Sequence, residues 1–198
     1  MNVGFLVPEL INCGPINLVL TLAENLKEIG HNVKLISIRE SQNSDIFEKF
    51  KISCSLGVFT LNENHNLIKD MVDDLDVIHS HGFYPDKILH QLNINNVKKI
   101  STVHCMFYKD YLGEYGFIKG LLGALFHFNY LKKGDFNYIV GCSSSIENYI
   151  CNKISKKNIA CINNGVNQEI YNKINLNEMI ERKIKIGVNK YKKIFVYA

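Results

Sequence analysis

Several common signatures are missing from this chain. Its six cysteines, Cys13, Cys54, Cys105, Cys142, Cys151 and Cys161, include no C-x-x-C pair, which excludes a zinc knuckle or a thioredoxin-like dithiol. No G-x-G-x-x-G run occurs, which argues against a nicotinamide- or flavin-dependent Rossmann enzyme. Met1–Phe5 lacks the charged and apolar regions of a signal peptide, and no uninterrupted apolar run is long enough to span a bilayer. Lysines occur at most in pairs, so no basic arm for nucleic acid is expected. Internal repeats and low-complexity linkers are also lacking. These absences predict a reduced, cytoplasmic, globular protein.

What is present fits one α/β domain with a real core. The chain has 198 residues, 46% hydrophobic and 21% charged, values ordinary for a folded domain and too apolar for disorder. A net charge of +4 and a pI near 8.6 are mildly basic, suiting phosphate-bearing ligands or an anionic membrane surface, although ordinary domains share them.

Short runs rich in β-branched residues alternate with stretches of helical period. Val3–Val7 and Val33–Ile38 read as strands around a helix, Pro15–Gly30, whose Leu18, Val19, Leu22, Leu26 and Ile29 share a face. Further strands are expected at Val77–Ser80, Ile100–Val103, Tyr138–Cys142 and Ile159–Ile162. Helices are expected near Asp86–Leu92, Phe117–Lys132 and Ser145–Lys153, the last opened by Ser144-Ser145-Ile146-Glu147 at capping-box spacing. Cys142 and Cys161 sit in apolar runs, as buried thiols do. Between residues 40 and 75 the pattern is weaker, with a strand at Val58–Leu61 and a helix at Asn66–Val72. Such alternation predicts a Rossmann-like parallel sheet with helices on both faces. Residues 1–175 make that domain. Residues 176–198 hold a polar helix, Leu176–Gly187, and an unfinished strand, Ile194–Ala198, which reads as the start of a further domain.

Ligands of open parallel sheets bind beyond the carboxyl ends of the strands, so the residues there are the site candidates. Pro8–Pro15, with Cys13 and Gly14, forms a loop entering a helix N-terminus, a place suited to anions and hydroxyls; a plain structural turn explains it equally well. His79-Ser80-His81-Gly82 and His104 follow two neighbouring strands. No carboxylate or further histidine stands at ligand spacing, so no metal is expected. His104 ends an apolar strand and needs a partner or a ligand. Asn163-Asn164-Gly165-Val166-Asn167 follows the Ile159–Ile162 strand, and there the turn-forming Asn-Gly is an equal alternative.

In this order these pieces resemble glycosyltransferase family 4, retaining enzymes built from two Rossmann-like domains in the GT-B arrangement. The matching segments are the Gly14 loop with Leu22–Leu26 and Gly30–Val33, then Asp76–Gly82, Thr102–His104, Tyr138–Ser143 and Ile162–Asn167. The resemblance implies sugar transfer from a nucleotide-diphosphate sugar to a hydroxyl acceptor, a glycan or lipid-linked, in surface polysaccharide or lipopolysaccharide assembly. It implies the N-terminal, acceptor-side half of such an enzyme, inactive alone, with no cofactor beyond the co-substrate and no metal. His104 is then the catalytic residue beside the transferred sugar. Cys13 and Gly14 lie near diphosphate and acceptor, with His81 among the binding residues; Asn164, Gly165 and Val166 form a cleft wall, and Ser143 caps a helix. The chain departs from the family pattern at Cys13, Asn137, Asn163 and Asn167. A non-catalytic binding or assembly domain, the remnant of a truncated gene, is the alternative. Tyr111–Lys133 combines apolar residues with Lys119, Lys132 and Lys133: a core-packed helix is the commoner explanation, and peripheral contact with the inner face of the cell membrane the other.

Overall fold

The computed structural model describes residues 1–41, 43–62, 67–94, 96–155, 158–165 and 175–187. Met1–Gly165 form one compact unit and Val166–Ala198 a second, whereas the sequence pattern placed a boundary at 175. Val166, Asn167 and the expected strand Ile194–Ala198 lie outside the described residues.

The first unit is built on seven parallel strands: β1 (Asn2–Val7), β2 (Asn32–Ser37), β3 (Val58–Thr60), β4 (Val77–His81), β5 (Lys98–Val103), β6 (Tyr138–Gly141) and β7 (Ile159–Cys161). Their order across the sheet is β3-β2-β1-β4-β5-β6-β7. The chain therefore winds outward from β1 to β3, returns to β4 on the other side of β1, and winds outward again. That reversal opens a crevice between the carboxyl ends of β1 and β4.

Alternation along the strands divides the core in two. Phe5, Val33 and Leu35 pack under α1 (Gly14–Glu28) and α2 (Ser44–Ser53), against Val19, Ala23 and Phe50. Leu6, Ile36, Ile78 and Ile139 face the other way. They pack with α3 (Ile68–Val72), α4 (Phe83–Gln91), α6 (Phe117–Lys133) and α7 (Ser144–Cys151), through Val72, Leu89, Leu131 and Ile150. α5 (Phe107–Tyr115) lies against α6. In the second unit α8 (Leu176–Lys185) is capped by Asn175, whose side chain accepts the Glu178 N–H at 2.9 Å.

Several local expectations are corrected. His81 is the last residue of β4, not part of the following turn. Ser143 caps α7, as the family resemblance implied, its Oγ accepting from Ile146 N at 3.3 Å, so the capping box expected from Ser144 to Glu147 does not form. α2 and α5 were not anticipated, and Tyr111–Lys133 is two helices joined at Gly116. Cys142 and Cys161 are only half-buried, while Cys54 is the buried thiol.

Candidate functional site

A cavity of about 540 Å³ occupies the crevice at the reversal point, lined by Cys13 after β1, His81 and Gly82 at the end of β4, and His104 after β5. Gly82 makes this close junction possible: its φ of +103° lies in the region L residues avoid, and it turns the chain from β4 straight into α4. Two adjoining cavities, of about 580 and 400 Å³, share Pro8, Arg39 and Tyr84 and add Phe83, Tyr115 and Lys87. The Arg39 guanidinium lies over the Tyr84 ring, 5.7 Å from its centroid.

His81 and His104 floor the main cavity, with His79 packed behind them on β4. His79 and His81 share a face of β4 with ring centroids 4.3 Å apart, and His81 and His104 stack at 5.2 Å. Phe5 closes the inner side, 5.7 Å from His79. His79 Nε2 bonds Thr102 Oγ1 at 2.7 Å and is spent on the fold. His81 Nδ1 meets His104 Nε2 at 2.9 Å. Only one of those facing nitrogens carries the hydrogen, because a neutral imidazole has one donor and one acceptor. The outer nitrogens, His81 Nε2 and His104 Nδ1, are then one acceptor and one donor, in either tautomer. His81 Nε2 is buried and has no partner among the described residues.

The same packing holds the rings neutral. Burial lowers the His79 pKa from 6.5 to about 3, with the His104 charge adding to the effect. Burial, then His79 and His104, hold His81 well below its ordinary value. Burial lowers His104 as well, opposed by the nearby Asp86 carboxylate.

A second polar cluster adjoins this floor. Asp86, fully buried at the start of α4, accepts from Ser80 Oγ at 2.5 Å and pairs with His127 Nε2 at 2.7 Å. His127 Nδ1 meets the Tyr111 hydroxyl at 2.8 Å, and Phe107 stacks on the imidazole at 3.9 Å. His127 and Tyr111 both line the main cavity.

The sequence-predicted residues are only partly brought together. Cys13, His81 and His104 converge on one cavity. Gly14 opens α1 beside it, with open space where a Cβ would project. Asn164 and Gly165 instead line a separate cavity of about 380 Å³ with His79, Leu18 and Tyr138. Only Thr102 lines both of these cavities. Val166 lies outside the described residues. Asn137, one of the departures, accepts the Lys99 N–H at 2.8 Å, a bond an Asp oxygen would also take. Among the described residues, no group of three or more His, Cys, Asp or Glu is arranged to hold a metal ion.

Asp86, Tyr111 and His127 were missed as site residues, and so was Arg39. A histidine at position 127 between the buried Ala124, Phe128 and Leu131 was the available signal, since a polar group on an apolar stripe needs a partner.

The parallel sheet, its reversal point and the occupied strand ends define a Rossmann-like domain of the kind that makes up half of a GT-B glycosyltransferase. The match to the model of Glycosyltransferase Family 4 covers residues 14–170, and the chain belongs to that family. Two Escherichia coli relatives described as O-antigen biosynthesis glycosyltransferase WclY are 26% and 27% identical over 190 and 191 residues. Each alignment takes in 92% of this chain and 48% of the relative, so the chain spans about half the length of these proteins. Among solved structures, Anabaena Alr3699/HepE in complex with UDP-glucose superposes with a TM-score of 0.74 at 12% identity, over 96% of this chain and 50% of that one. An α-glucosyltransferase in complex with UDP and a mismatched DNA 13-mer gives 0.52 at 13% identity, over 93% and 52%. These likenesses bear on the fold.

Proposed function

We propose that this chain is the acceptor-side half of a retaining glycosyltransferase that moves a hexosyl group from a nucleotide-diphosphate sugar to a glycan or lipid-linked hydroxyl, in surface polysaccharide assembly. The observation that carries the reading is the convergence of Cys13, His81 and His104 on one cavity at the reversal point, within a chain of this family. His104 sits beside the reacting sugar, with its ring held by His81. Tyr84 and Tyr115 wall the adjoining cavity, and such ring faces suit the C–H faces of a pyranose. The curated relatives named for O-antigen biosynthesis support the pathway, and the neighbour solved with UDP-glucose supports the donor class. Developing charge on the leaving diphosphate needs electrostatic stabilisation, and Arg39 is the one Lys or Arg lining this cavity among the described residues. We therefore expect residues 1–198 alone to bind sugars without turning over. Histidine-ring spectra recorded during addition of UDP-, GDP- and ADP-sugars test this reading, with movement of His104 the expected result.

Peripheral membrane contact belongs to the same proposal. α6 is core-packed along Gly120, Ala124, Phe128 and Leu131, yet Ile118, Leu122, Leu125 and Phe126 are exposed on its other side, with Lys119 among them and Phe117 exposed at its first residue. An apolar face with adjacent cations fits an anionic bilayer surface. Among the described residues no helix is long and apolar enough to cross a membrane. Co-sedimentation with vesicles of mixed neutral and anionic lipid is expected, and to be lost when Phe117 and Phe126 are replaced by Ser; wild-type protein left in the supernatant contradicts it.

A further inference from the structure

Ser80, Asp86, His127 and Tyr111 form a continuous hydrogen-bonded chain running from inside the sheet to the main cavity. Ser80 and Asp86 are fully buried and His127 is 2% exposed, where polar groups are costly unless bonded. The chain satisfies them. With Asp86 as a carboxylate, both oxygens accept, one from Ser80 Oγ and one from His127 Nε2. That puts a hydrogen on Nε2, and in the tautomer that carries it there alone Nδ1 is an acceptor. In that tautomer the Tyr111 hydroxyl donates to Nδ1, at 2.8 Å. Its oxygen keeps its lone pairs, and Tyr111 lines the cavity that His81 and His104 floor.

α5 is held to this geometry from two sides. Gly120 lets it approach α6 so closely that a Cβ at that position would collide with the Tyr111 carbonyl. Phe107, from the same helix, stacks on His127. Tyr111 thus joins a buried, fully bonded network to the cavity it lines.

We propose that Tyr111 is an acceptor-recognition residue whose phenolic oxygen accepts a hydrogen bond from a hydroxyl of the acceptor sugar, and that Asp86 and His127 are positioning residues that set its polarity. The inference rests on the acceptor-side reading above and names a group that reading does not use. Tyr111 and His104 then contact the sugar from different sides of one cavity, Tyr111 only as an acceptor.

The experiment has two arms on the 198-residue chain. Ring ¹⁵N spectra should show the His127 hydrogen on Nε2 and none on Nδ1; a hydrogen on Nδ1 overturns the assignment. Saturation-transfer NMR should detect the methyl α-glycosides of glucose, galactose or N-acetylglucosamine on the wild type. Tyr111→Phe should weaken that binding about three- to tenfold, the worth of one neutral hydrogen bond. His127→Leu should weaken it similarly, and His127→Gln, which keeps one donor and one acceptor, should restore it to within about twofold. A merely structural role would lower the melting temperatures of these variants and leave the affinity of the folded fraction unchanged, which overturns the proposal. Failure of all three glycosides to bind the wild type contradicts the acceptor-side reading and the role of Tyr111 with it. Binding that Tyr111→Phe leaves intact contradicts only the latter.

Discussion

At the scale of single residues, the histidines of β4 are the most consequential. In the unfolded chain they take up protons near pH 6.5; folded, His79 resists until about pH 3 and His81 is also held well down. The unfolded state thus binds more protons as pH falls below about 6.5, so folding stability declines from there toward pH 3. Each such group costs up to about 1.4 kcal/mol per pH unit within that window. Urea midpoints measured from pH 7 to pH 4 should fall steadily, and His79→Gln should flatten the slope; a midpoint constant down to pH 4 contradicts the burial argument. Residue roles were the least legible part of the sequence. His104 was found because a polar residue closed an apolar strand. The partnership of Asp86 with His127 was not, because it joins residues 41 positions apart and depends on how two helices pack.

At the scale of elements, α5 and α6 carry the account. α6 was readable from its period, but its two apolar sides were not separable in sequence: one stripe meets the core and the other is exposed. α5 was missed although Phe107, Tyr108, Tyr111, Leu112 and Tyr115 recur at helical spacing, and of its nine residues only Phe107 is buried. α2 was missed in a similar way, with only Ile46 and Phe50 as buried apolar residues among its charges. The α5–α6 contact gives a sharp expectation. Gly120→Ala places a methyl against the Tyr111 backbone, a rigid neighbour that must shift, and overpacking of this kind costs about 1–3 kcal/mol. Chemical denaturation should show that loss, together with displaced Tyr111 and His127 resonances. Unchanged stability would mean that the helices are not in the register described.

At the scale of the whole molecule, the strand alternation predicted the layered parallel architecture, and the ends of β1, β4 and β5 predicted where the cavity lies. Sequence could not give the strand order, because which strands become neighbours is decided by tertiary packing. That order turns the Gly14 loop, His81 and His104 into one site, and it leaves Asn164 and Gly165 lining another cavity on a different stretch of the sheet. The central claim is that the reversal-point cavity is a sugar site in a chain of this family. Its most direct test is a histidine-ring NMR titration of the 198-residue chain with UDP-, GDP- and ADP-sugars, with nicotinamide nucleotides as controls and radiolabelled transfer followed in the same samples. The predicted result is movement of His81 and His104 with at least one nucleotide sugar, none at the distant His31, none with the nicotinamides, no turnover, and loss of the response in His104→Ala. Stationary His81 and His104 signals across all three nucleotide sugars, or equal shifts with the nicotinamides, would contradict it.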